Sequence, residues 1–120
     1  MKIILVIEDE KLLQEAYHKK LTMEGYNVVQ AFTGQEGLDA LQTQTPDLII
    51  LDIILPGGKD GISVLEEIKR NETWKHIPVL MLTNLESQTE SAKKLGVTEY
   101  IIKADTPIDD IVERIQKITG

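Results

Sequence analysis

At 120 residues, with 42% hydrophobic and 28% charged residues, the chain has the size and balance of one globular domain, and its composition excludes a disordered segment. It has no cysteine, which rules out a disulfide framework, a thiol nucleophile and a cysteine-ligated zinc. A formal net charge of -7, with no visible basic patch, argues against direct nucleic-acid binding and favours divalent cations and basic partner surfaces.

The chain opens with Lys2 and the apolar run Ile3 to Ile7, followed at once by Glu8 and Asp9. That run is too short for a signal peptide, and no stretch approaches the roughly 20 apolar residues of a membrane span. The expected location is therefore cytoplasmic, with no membrane partner. Ile3 to Ile7 predicts a strand buried on both faces. From Lys11 to Glu24, Leu12, Leu13, Ala16, Tyr17 and Leu21 share one helical face, and Gly25 is the stop. Asn27 to Phe32 is more polar and reads as an edge strand. Thr33-Gly34-Gln35-Glu36 matches a capping box that opens a helix through about Leu41.

Leu48 to Leu51 is the next buried strand. Asp60 is the expected cap of a helix striped by Ile62, Leu65 and Ile68. Val79 to Leu82 is a fourth strand. Between Glu86 and Leu95 almost the only apolar positions are Ala92 and Leu95, which predicts a weakly anchored helix. Tyr100 to Ile102 is the other edge strand. The last helix is expected to use Thr106 as its cap and Pro107 in its first turn, with a stripe of Ile108, Ile111, Val112, Ile115 and Ile118. The order βαβαβαβαβα implies α/β architecture: a flavodoxin-like (βα)5 fold with five parallel strands in the order 2-1-3-4-5 and helices on both faces.

Open α/β sheets bind ligands at the carboxyl ends of their strands. Here those ends deliver Glu8 and Asp9, Asp52, Thr83, and Lys103 to one rim. Three gathered carboxylates repel one another, and a divalent cation with a taste for oxygen, such as Mg²⁺, relieves that repulsion. Asp52 stands alone at the tip of a central strand and is the candidate nucleophile for an acyl-phosphate. Positioning and charge neutralisation are what phosphoryl transfer needs most, and Lys103 and the Thr83 hydroxyl offer them beside the metal.

In that arrangement the whole chain resembles a response-regulator receiver domain, the phosphoacceptor of two-component signalling. The resemblance is carried by Glu8-Asp9, by Asp52 in Leu51-Asp52-Ile53-Ile54-Leu55-Pro56, by Asp60-Gly61, by Thr83, and by Tyr100 with Lys103. It implies one receiver domain over residues 1–120 that is not an enzyme of separate turnover but catalyses its own phosphotransfer and dephosphorylation. Asp52 would take phosphate from a sensor histidine kinase or phosphotransfer protein. Asp9, Asp52 and the carbonyl of Ile54 would hold Mg²⁺, with Glu8 partly through water. Lys103 would pair with a phosphoryl oxygen. Thr83 and Tyr100 would form the switch that remodels the surface of the fourth helix, fifth strand and fifth helix for a downstream effector, or for a phosphorylation-dependent homodimer. With no effector visible, a stand-alone receiver is the expectation.

Three positions depart from the family pattern. Ala104 follows Lys103 where proline is usual, so a trans bond is expected there. The loop Pro56 to Gly61 is one residue longer, and Asn84 stands where a small residue usually follows the threonine. Other residues read blandly. His18 and His76 are surface residues, and Trp74 is a lid over a sheet edge. Gly57-Gly58-Lys59 lacks the spacing and the hydroxyl of a phosphate loop, and no dinucleotide fingerprint follows the first strand. Two alternatives remain on the sequence: a receiver-like interaction module that no longer uses phosphate, and a flavin carrier.

Overall fold

The computed structural model describes all residues 1–120. Its elements are β1 (Ile3–Ile7), α1 (Lys11–Met23), β2 (Asn27–Ala31), α2 (Gly34–Thr43), β3 (Leu48–Leu51), α3 (Gly61–Arg70), β4 (Val79–Thr83), α4 (Thr89–Lys94), β5 (Glu99–Ile102) and α5 (Ile108–Thr119), with 3-10 turns at Glu86–Gln88 and Lys103–Asp105. The five strands are parallel in the order β2-β1-β3-β4-β5, as the alternation predicted. No helix is long and apolar enough to cross a membrane.

Strand residues alternate between the two faces of the sheet, and each face builds its own core. Leu5, Ile7, Ile49, Leu51, Val79 and Met81 pack with α2, α3 and Ala92 of α4. Ile4, Val6, Leu48, Ile50, Leu80 and Leu82 pack with α1 and α5. The three middle strands are buried along almost their whole length, which is why they read as unbroken apolar runs. Each fully buried Leu or Ile side chain is worth about 1.5–3 kcal/mol relative to exposure. The edges β2 and β5 keep half-exposed positions, in line with their mixed sequences.

Side-chain caps start two of the five helices, α2 and α3. The Thr33 hydroxyl accepts from Glu36 N–H at 3.0 Å, and the Glu36 carboxylate accepts from Phe32 N–H at 2.9 Å. Asp60 accepts from Ser63 N–H at 2.8 Å. Three expectations need correction. Helix α5 begins at Ile108 with Pro107 as its cap, so Thr106 lies outside; the negative charge at its start comes from Asp109 and Asp110. In α1, Leu12 is 81% exposed, and the helix turns Gln14, Tyr17 and Leu21 to the sheet instead. Trp74 is a core residue, 7% exposed, in the cluster on the α2–α3 face rather than a lid.

Candidate functional site

The carboxyl ends of β1 and β3 lie side by side, paired from Ile4 with Leu48 to Ile7 with Leu51. The chain after each strand is pinned before it turns away. Glu8 N–H donates to the Ala31 carbonyl at 3.0 Å, and Asp52 N–H donates to the Ile7 carbonyl at 3.1 Å. Asp52 folds back so that its Oδ1 accepts from Ile53 N–H at 2.7 Å. The following loop closes when Gly61 N–H donates to the Ile53 carbonyl at 2.7 Å. Only glycine fits there, because a Cβ at residue 61 would overlap the Asp52 carbonyl oxygen. The Asp60-Gly61 pair thus caps α3 and presses it against the Asp52 turn. Gly57 and Gly58, at φ +85° and +88°, make the longer loop possible.

Lys103 crosses from β5 to both acids. Its Nζ lies 2.5 Å from Glu8 Oε1 and 2.7 Å from Asp52 Oδ2. All three side chains are nearly enclosed, at 12%, 3% and 7% exposure. The second oxygen of Glu8 accepts from Glu10 N–H at 3.0 Å. Burial pushes the Glu8 carboxyl up to about 7, a rise that the Lys103 hydrogen bond, the Glu10 N–H and the lysine charge only partly offset. Burial pulls the Lys103 amine down, but its hydrogen bonds to Asp52 and Glu8 outweigh this and leave it above the usual lysine range. Asp9 is exposed beside them.

Ligand oxygens of Glu8, Asp9 and Asp52 lie within 4.8 Å of one another. Fully ionised, these three acids and one ammonium would leave two negative charges uncompensated, which suits one divalent cation. The donors are all hard oxygens, and Asp9 and Asp52 open into a cleft of about 150 Å³ lined also by Glu10, Ile54, Thr83, Asn84 and Lys103. The residues therefore fit an oxygen-seeking divalent metal. A roomier groove, about 290 Å³, lies at the far end of the sheet beside Trp74, but its lining carries no titratable group.

The remaining sequence candidates meet on the loop after β4. Thr83 is fully buried, and its hydroxyl accepts from Leu85 N–H at 3.4 Å. The Tyr100 hydroxyl donates to the Leu85 carbonyl from β5. One residue, Leu85, thus joins the two. Ile54 borders the cleft and is 59% exposed. His18 and His76 are exposed, as expected. All peptide bonds are trans, including Lys103–Ala104.

Sequence reasoning missed Gln14. It is 1% exposed, and its Nε2 donates to the carbonyls of Val6, Glu8 and Ala31 at 3.0, 3.0 and 2.8 Å. A helical side chain therefore stitches the ends of β1 and β2 together and holds the backbone that carries Glu8 and Asp9. The only signal in the sequence was a glutamine set among the apolar positions of α1.

Residues 4–116 match the family model described as the response regulator receiver domain. The chain is 36% identical over 121 residues to the probable transcriptional regulator ycf27 of Cyanidium caldarium, a match that covers 94% of this chain and 47% of that protein. It spans about half the length of the curated relatives it matches. Among solved structures, it resembles response regulator protein TrrA of Thermotoga maritima in complex with Mg(2+)-BeF, with a TM-score of 0.86 at 31% identity over 98% of this chain and 99% of that one. It also resembles the Mn(2+)-bound form of response regulator Rcp1, with a TM-score of 0.81 at 31% identity over 98% and 91% of the two chains.

Proposed function

Since the chain belongs to the response regulator receiver family, we propose that it is a phosphorylation-controlled signalling domain, occupying residues 1–120, with Asp52 as its phosphoacceptor. The observation that carries this reading is the 2.7 Å contact between Lys103 Nζ and Asp52 Oδ2 beside two further carboxylates. An isolated carboxylate at a strand tip needs no such company.

The Asp52 carboxylate attacks the phosphorus of a phosphohistidine on a sensor kinase or phosphotransfer protein, and the imidazole leaves with the electron pair of the broken P–N bond. Mg²⁺, when bound by Asp9, Asp52 and the Ile54 carbonyl with Glu8 behind it, supplies charge neutralisation for the phosphoryl oxygens. Lys103 gives up one of its two carboxylate partners to pair with a phosphoryl oxygen. The Thr83 hydroxyl turns toward another. Because Thr83 and Tyr100 both hydrogen-bond to the backbone of Leu85, a movement of the first is felt by the second. The surface of α4, β5 and α5 then changes for an effector or for a second copy of the chain. Solvent entering the same cleft hydrolyses the acyl-phosphate and resets the domain. The curated relatives are named as transcriptional regulators, so a transcription-linked output is the proposal for this domain's pathway. A cytoplasmic location follows from a kinase donor of this type.

Acetyl phosphate with Mg²⁺ should give a hydroxylamine-sensitive adduct, seen by intact-mass spectrometry, that EDTA prevents and Asp52→Asn abolishes. No adduct, or one that survives the substitution, overturns the proposal.

A further inference from the structure

Two of the departures from the family pattern, Asn84 and Ala104, are in contact. The Asn84 side-chain Oδ1 accepts a hydrogen bond from Ala104 N–H at 2.9 Å. Proline at position 104 would have no N–H to give, so no acceptor would be needed opposite it. Alanine restores the donor, and an amide in place of a small residue meets it.

The placement of this bond gives it consequence. Strands β4 and β5 pair in register from Leu80 with Glu99 to Thr83 with Ile102, and there the ladder stops. The next residues are Asn84 on one side and Lys103 on the other. The 3-10 turn at Lys103–Asp105 is otherwise held only by a long bond, Thr106 N–H to the Lys103 carbonyl at 3.3 Å. Asn84 thus extends the pairing one step beyond the sheet, using a side chain where the backbone no longer reaches. It ties the loop that begins at Thr83 to the backbone that immediately follows Lys103.

We propose that Asn84 is a positioning residue. Through Ala104 it fixes the turn that aims the Lys103 ammonium at Asp52, and it couples that turn to the Thr83 loop. The tie itself stands on the contact alone; its effect on phosphoryl transfer rests on the phosphoacceptor reading above.

Three variants separate the acceptor from the bulk of the side chain. Asn84→Ala removes both, Asn84→Leu keeps the bulk without the acceptor, and Asn84→Asp keeps the acceptor. Amide hydrogen exchange at Ala104, read by NMR, should quicken about 2- to 10-fold in the first two, the range for one net hydrogen bond, and stay slow in the third. Labelling of the Lys103 amine by an acylating reagent, read by mass spectrometry, should quicken in the same two variants, with the global unfolding equilibrium shifted by no more than about 10-fold. Adduct formation from acetyl phosphate should slow in both. Unchanged Ala104 exchange in Asn84→Ala would overturn the tie. Quickened exchange with unchanged Lys103 labelling would overturn the positioning role. Opposite effects of Ala and Leu on adduct formation would make bulk the cause and overturn it as well. If the unsubstituted chain forms no adduct, the phosphoacceptor reading fails by itself, and the exchange and labelling results still decide the role of Asn84.

Discussion

Helices α3 and α4 lie on the same face of the sheet and are built in opposite ways. Helix α3 has ten residues, a side-chain cap from Asp60, and buries Gly61, Val64, Leu65 and Ile68. Helix α4 has six residues, no side-chain cap, and buries only Ala92. The division extends to the site. Glu8 and Asp52 follow the buried strands β1 and β3, Thr83 ends the buried strand β4 just before the loop to α4, and Lys103 follows edge strand β5. Glu8 and Asp52 are fixed in place, while Lys103 lies in a 3-10 turn beyond an edge strand and Thr83 adjoins the thinly anchored loop and α4, the side of the rim where rearrangement is cheap.

Cutting into each helix sharpens that contrast most. Leu65→Ala in α3 should lose about 2–5 kcal/mol, while Glu90→Ala in α4 should stay within about 0.5 kcal/mol. Urea denaturation followed by circular dichroism measures both, and comparable losses would erase the distinction. Gln14→Met tests whether the acids are held as firmly as their strands. Removing its buried donor should cost about 1–3 kcal/mol of stability. It should also weaken Mg²⁺ binding by about 10-fold, as loss of a supporting partner does at metal sites. Titration calorimetry gives the affinity, and an unchanged value would mean that the strand ends need no stitch.

The last expected effect is a pH dependence that runs through neutrality. The Glu8 carboxyl is raised from 4.5 to about 7 in the fold, so the protonated form is the one that folding favours. Its contribution is complete below pH 4.5 and disappears as pH rises through about 7. Lys103, raised above 10.5, keeps its charge across that interval and adds no slope. The melting temperature in EDTA should therefore fall between pH 5 and 8. Mg²⁺, which favours the ionised carboxylate, should flatten or reverse that fall, and Glu8→Gln should remove it. A melting temperature in EDTA that holds steady or rises over the same interval would contradict this account of Glu8.

The strands were legible because Ile3 to Ile7, Leu48 to Leu51 and Val79 to Leu82 are unbroken apolar runs, a pattern that burial on both faces demands. The rim was legible because parallel topology sends every strand end the same way, so residues far apart in sequence could be assigned to one place. The contacts that tune the rim were not. Periodicity in α1 admits Leu12 on its apolar stripe, and only the carbonyls of Val6, Glu8 and Ala31 decide that Gln14 faces inward. Asn84 and Ala104 each looked like an isolated departure, since their partnership needs the register of β4 against β5. Trp74 in a polar stretch gave no hint that it would be enclosed.

Strand β1 lies between β2 and β3, and Lys103 follows the last strand to be made. As the polypeptide emerges during synthesis, β1 and β3 can pair and bring three carboxylates together before their ammonium counter-charge exists. Mutual repulsion opposes the closing of that half-built sheet until the C-terminal segment arrives. Until then a divalent cation is the other charge able to hold the rim together, so the lysine and the metal answer the same excess of negative charge.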